Sequence, residues 1–161
     1  MCLRVKWYAP FSKVAKTDIE CYKVLCMDKH GGLFAPFMMT SYGLGTETPK
    51  VSMNREWLKI MSGVHTFINL DDVKQFLEQY SRSGTIPSAD YVGVFKSTIP
   101  AGSTYYKGTF NSLDIGNYTS SSIIVDELVE AYEVYEVEDW EWGGFKVTIN
   151  PTKPVSIKGI L

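Results

Sequence analysis

From Ile19 to Met27 the chain reads Ile-Glu-Cys-Tyr-Lys-Val-Leu-Cys-Met, a run of β-formers that ends at Asp28-Lys29-His30-Gly31-Gly32 before Leu33 to Thr40 turns apolar again. Two such runs around a Gly-Gly turn predict an antiparallel hairpin, and Pro36 marks the second run as an edge or interrupted strand. Ser41 to Lys50, with Gly43, Gly45 and Pro49, reads as a loop, and Asn54 to Met61 as one or two helical turns. Gly63 to Ile68 is a short strand running into the strongest helical pattern in the chain. Leu70, Val73, Phe76, Leu77 and Tyr80 follow 3-4 spacing, Asn69 is placed to cap, and Asp71 and Asp72 sit in the first turn where the helix dipole favours acids. These signals predict one amphipathic helix over about 69–82, ending near Gly84.

Beyond it, Asp90 to Ile99 is strongly β, Pro100-Ala101-Gly102-Ser103 is a turn, and Thr104 to Phe110 is β again, which predicts a second hairpin. A loop at 111–117 leads to a strand over Tyr118 to Val125. In Tyr132 to Glu138 most glutamates fall opposite the Tyr and Val positions, so acids face water while the apolar side packs. Gly143-Gly144 makes a turn, and Phe145 to Ile149 and Val155 to Ile160 complete the sheet. The sum is one α+β domain over residues 1–161, mainly antiparallel sheet with one principal helix packed on it. No internal repeat or linker divides it.

Length and composition agree with that picture. A chain of 161 residues that is 45% hydrophobic and 14% aromatic can bury a core of its own and is too apolar for disorder. No apolar run approaches the roughly 18 residues a membrane helix needs, and Arg4 and Lys6 interrupt the region where a signal peptide would be apolar. The expectation is a cytoplasmic protein without a membrane partner. Cys2, Cys21 and Cys26 form no CxxC pair, and a spacing of five puts Cys21 and Cys26 on opposite faces of a strand, which argues against a shared metal.

Charge is unevenly spread. Asp126 to Trp142 holds eight acids and no Lys or Arg, a solvated strand face or a surface that repels nucleic acid. Trp7, Tyr8, Tyr105, Tyr106, Trp140 and Trp142 invite a base-stacking reading, but the charges flanking Trp140 and Trp142 are acids; nucleic acid is disfavoured and packing is the expected role of most of these rings. HExxH, P-loop, GxGxxG and Gly-x-Ser-x-Gly patterns are absent. Thr119-Ser120-Ser121-Ser122 is a hydroxyl cluster suited to local backbone bonds. His65, near a strand end and a helix start, reads as a structural or half-buried histidine, or as one positioned for an anion; His30 belongs to a turn.

Two resemblances bear on function. Cys21 to Leu25, Gly63 to Phe67, Ile99 to Gly108 with its Pro-x-Gly-x-x-Tyr-Tyr segment, and Thr119 to Val125 together resemble uncharacterised proteins encoded by phages and prophages of gut bacteria, over roughly residues 20–137. The order of strand, helix, strand, Ile-Pro-x-Gly turn and later Ser-rich strand also looks like the layout of ADP-ribosyltransferase-like domains. That second resemblance implies NAD as ligand, Lys23 at the first-strand position, Ser97 and Thr98 at the second, and Glu127 or Glu138 as the late acid. Tyr22, His65, Thr66 and Tyr105 would line the same cleft. The expectation drawn from both is an accessory protein that binds a host protein or a small nucleotide-like ligand and needs no cofactor. The alternatives are a transferase-like enzyme with Lys23, His65, Ser97 and Glu138 at its centre, or a structural protein of a virion or mobile element.

Overall fold

The computed structural model describes residues 3–8, 10–83, 86–110, 114–141 and 143–161. Cys2, Gly84 at the expected helix end, residues 111–113 of the expected loop, and Trp142 lie outside the described residues. In chain order the elements begin with β1 (Leu3–Arg4), β2 (Lys13–Val14), β3 (Ile19–Met27), β4 (Leu33–Phe34), β5 (Ser41–Tyr42), β6 (Arg55–Glu56), β7 (Lys59–Ile60) and β8 (Val64–Phe67). The helix α1 (Leu70–Ser83) follows, then β9 (Tyr91–Ile99), β10 (Thr104–Phe110), β11 (Gly116–Ser120), β12 (Ile124–Glu138) and β13 (Phe145–Ile149). The result is an α+β fold that is largely antiparallel sheet with one helix packed on it. Among the described residues no helix is long and apolar enough to cross a membrane.

The sheet runs in the order β13-β12-β9-β3-β8-β11-β10-β1-β7-β6. This order forces it to curl. Four strand spacings of about 4.8 Å would separate β9 from β10 in a flat sheet, about 19 Å. Only Pro100 to Ser103 connect them, in a turn closed by the Ser103 N–H donating to Pro100 O at 3.1 Å. The expected hairpin between these strands is therefore absent: β9 pairs with β3 and β12, while β10 pairs with β11, β1 and β2. The expected strand over Tyr118 to Val125 breaks in the same way, into β11 and β12 around a corner at 121–123. The two corners touch. Ser121 N–H donates to Thr104 O, and the Ser103 and Ser122 hydroxyls lie 3.0 Å apart. The Thr119 to Ser122 hydroxyls are thus mostly corner fasteners, as their local sequence suggests.

Curling gives the central strand β3 two buried faces. Val24 and Cys26 pack with Val92 and Val94 beneath α1, against Val73, Phe76, Leu77 and Tyr80. Cys21, Leu25 and Met27 point into the curl, against Phe95, Ile99, Val64, Ile123 and Val125. The two cysteines do fall on opposite faces. Lys23 occupies an inward position in this register, which is where the period of two puts it.

Three further expectations are corrected. Residues 54–61 are not helical but a tight β6–β7 hairpin, with Trp57 at φ 51° in its turn; strands of two residues are too short to leave a periodic signal. Leu33 to Thr40 is not one extended run, because Pro36 starts a turn that ends β4 at Phe34, and Ser41–Tyr42, expected as loop, returns as β5. Val155 to Ile160 contributes a single bridge, Val155 to Ala131, instead of a strand.

The helix follows its expected chemistry. Asn69 Oδ1 accepts the Asp72 N–H at 2.9 Å, and Asp72 in turn accepts the Gly116 N–H at 2.7 Å, tying α1 to β11. Replacing Asn69 with Ala should cost about 1 kcal/mol of folding stability, and Asn69→Asp much less, since Asp also caps. Urea unfolding midpoints of the two variants check this.

Candidate functional site

β3 and β8 share only one paired position, Tyr22 with Phe67, so the two halves of the curled sheet barely touch through strand pairing. Beside that pair a side chain completes the junction. Lys23 Nζ donates to the His65 carbonyl at 2.7 Å and lies 5.4 Å from the centre of the Tyr42 ring. Lys23 is 5% exposed. Among the described residues no carboxylate lies within ion-pair distance of it. Burial of the ammonium pulls its pKa down from 10.5 to about 8.

This amine faces a cavity of about 310 Å³. Its walls are mainly apolar, from Ala35 to Met38, Tyr42, Val51, Met61 and Val64, with Thr40, Ser52 and Ser62 supplying hydroxyl groups. The wall at Gly63 depends on glycine: φ there is 120°, and a Cβ would meet Thr119 Cγ2 at 2.5 Å. Burial raises the pKa of Tyr42, keeping it a neutral phenol at ordinary pH.

His65 lines the same cavity but turns its ring elsewhere. Its Nδ1 lies 3.0 Å from the Thr119 hydroxyl on the paired strand β11. Desolvation, followed by the nearby Lys23 charge, lowers its pKa from 6.5 to about 3, while the Asn117 carboxamide opposes the shift. Asn117 is fully buried, and neither of its side-chain polar atoms reaches full hydrogen-bond geometry. A neutral imidazole has no charge to offer an anion. The helix start is also occupied, by the Asn69 side chain that caps it.

The remaining expected site residues are dispersed. Thr66 is buried with its hydroxyl toward Cys21, whose thiol is pushed up to about 12 by burial. Ser97 is buried beside the same cysteine, its carbonyl 3.4 Å from Cys21 Sγ and its hydroxyl on Phe95 O. Thr98 donates to Asp126 at 2.7 Å on the surface, and Tyr22, on the opposite face from Lys23, donates to Glu20 at 3.2 Å. Tyr105 packs edge-on against Tyr118 and lines a shallow groove with Lys13 to Thr17. Glu127 and Glu138 are exposed on β12, and Glu138 is paired with Phe145 at the outer edge of the sheet. Lys23 and His65 come together; Ser97, Thr98, Tyr105 and Glu138 do not join them in the cavity.

The aromatic expectation is corrected in part. Trp7 and Trp140 are 79% and 88% exposed and Tyr8 is also exposed, whereas Tyr105 and Tyr106 are half-buried. Sequence reasoning missed Tyr42, Phe37 and Met38, and it named Thr119 without placing it against His65. Tyr42 and the Phe37-Met38 pair lie in or beside an apparent loop, and no spacing links them to Lys23. A larger hollow of about 440 Å³ beside the start of α1 carries Lys6, Lys13 and Lys107, but Asp72 and Asp114 line it too and share its field. No group of three or more potential metal ligands occurs among the described residues. In comparisons with known proteins, no family model, no curated protein and no solved structure matches this chain.

The two shifted groups make stability depend on pH in opposite regions. Between pH 8 and 10.5 the unfolded chain keeps the Lys23 proton that the folded chain has lost, so stability rises with pH by up to about 3 kcal/mol. Below pH 6.5 the unfolded chain protonates His65 while the folded chain does not, so stability falls as pH drops toward 3, by up to about 5 kcal/mol. Denaturant unfolding across both ranges should show the alkaline rise disappear in Lys23→Met and the acid fall shrink in His65→Asn, each relative to the parent chain.

Proposed function

We propose that this protein acts by binding a small molecule, and that the ligand sits in the cavity between β3 and β8 with an apolar body against Phe37, Met38 and Val64. An electronegative oxygen of the ligand, carboxylate or carbonyl, meets Lys23. One observation carries this reading: a lysine with no carboxylate at ion-pair distance among the described residues is held at the wall of a mainly apolar hollow. Burying a cation costs several kcal/mol unless something compensates it, and a single carbonyl compensates only in part. A ligand oxygen supplies the missing partner.

The cavity volume stands at the low end for small-molecule sites, which fits one ring or a short chain better than a whole dinucleotide. Binding, as the sequence led us to expect, is favoured over transfer chemistry because the acid and the hydroxyl that a transferase-like centre would need lie away from Lys23. The phage-type accessory role remains part of this reading on the strength of the sequence resemblance.

A thermal-shift screen of benzoate, octanoate, benzaldehyde, NAD, ADP-ribose and nucleoside phosphates tests it. At a hundredfold excess over its dissociation constant, a ligand that binds only the folded chain adds about 2.7 kcal/mol, or about 5 °C or more for a domain of this size. The expected result is a shift with the small apolar oxygen compounds that Lys23→Met abolishes. A shift with NAD or ADP-ribose alone would replace this reading with the transferase-like one, and no shift with any compound would reject the cavity as a ligand site.

A further inference from the structure

We propose that Lys23 is a covalent capture site for small apolar aldehydes or ketones, which it holds as a Schiff base within the β3–β8 cavity. The inference rests on the binding reading above and adds a bond to it. Three features of the site carry it.

The first is the state of the nitrogen. With no carboxylate at ion-pair distance among the described residues to hold a proton, and with burial opposing charge, Lys23 keeps a substantial fraction of free amine near neutral pH, where an exposed lysine keeps almost none. The second is orientation. One N–H is committed to the His65 carbonyl at 2.7 Å, which fixes the side chain and leaves the lone pair for a carbon approaching from the cavity. The third is the surrounding wall. Apolar side chains line most of the hollow, with Phe37, Met38, Val51 and Met61 exposed where it opens to solvent, and the nearby Cys21 thiol, pushed up to about 12, stays protonated and does not compete as a nucleophile.

The step balances without an oxidant or reductant. The Nζ lone pair forms the N–C bond as the carbonyl π pair moves to oxygen, and a proton passes from nitrogen to that oxygen. The carbinolamine then takes one proton from solvent and expels water, leaving a protonated C=N linkage with one N–H. The His65 carbonyl, already the partner of that nitrogen, accepts this N–H and stabilises the iminium. Binding and imine formation are both reversible, as a carrier or sensor requires.

The test uses the full chain with benzaldehyde and cyanoborohydride at pH 7.5, followed by intact mass and peptide mapping. The expected result is a reduced adduct on Lys23, formed about tenfold or more faster than on exposed lysines such as Lys153 because of its larger free-amine fraction. Octanoate, which cannot form the imine, should slow that labelling by competing for the cavity. Adducts scattered over exposed lysines with none on Lys23 overturn the covalent step. If octanoate nevertheless gives saturable binding in ligand-observed NMR, the cavity reading survives while the covalent one falls; if octanoate and benzaldehyde both fail to bind, both readings fall. Because the mapping is done on the parent chain, no outcome depends on a variant that folds poorly.

Discussion

The contact between the Lys23 ammonium and the His65 carbonyl closes a junction that strand pairing leaves nearly open. β3 and β8 meet at one register position, and each belongs to a different half of the curled sheet. A hydrogen bond from a charged donor contributes about 1.5–3 kcal/mol, more than a neutral one, and in a desolvated junction it also fixes direction. The same contact sets the electrostatics of the cavity, since the amine that joins the halves is also the polar group presented to the hollow. Structure and chemistry here share one side chain, so the junction cannot be optimised for stability alone. A hydrophobic residue at position 23 would relieve the burial of charge but would leave the His65 carbonyl without its partner.

Curvature explains why the cavity exists. Two short links, at 100–103 and 121–123, join strands that lie far apart in the sheet order, and their hydrogen bonds hold the corners against each other. A sheet bent so sharply cannot be filled evenly by its own strands. The irregular stretch from Ala35 to Met61, with only two-residue strands, covers one opening and supplies the cavity walls. Loops carried on a rigid sheet are where binding sites are commonly found.

The charge distribution adds a second layer. All eight acids of the 126–142 segment lie on β12 or just beyond it, and Glu133, Glu136 and Glu138 are exposed, although a period of two puts Glu133 on the opposite face from the other two; the expected split into an acidic and an apolar face fails at Tyr135, which is also exposed. Two register shifts early in β12, between Val125 and Glu127 and between Leu128 and Glu130, break the period of two there as well. The cavity amine lies on β3, separated from β12 by β9.

Much of the secondary structure was legible in the residues themselves. The period-3.6 pattern and the Asn69 cap located α1, the β-branched and aromatic runs located β3, β9 and β13, and the spacing of Cys21 and Cys26 put them on opposite faces. These are local properties, set by side-chain direction along a few turns or residues. Lys23 entered only through the resemblance to ADP-ribosyltransferase-like domains, and His65 as a histidine between a strand and a helix. What only the tertiary structure decided is pairing and proximity. Pro100 to Ser103 looks the same in sequence whether it joins neighbouring strands or turns a corner between distant ones, because the turn chemistry is local and the partner choice is not. For the same reason nothing along the chain announces that Tyr42 and Met61 share a cavity with Lys23, or that Ser97 and Glu138 do not. Burial on both faces of β3 turned an isolated lysine into a desolvated amine, and that depends on neighbours brought from every part of the chain.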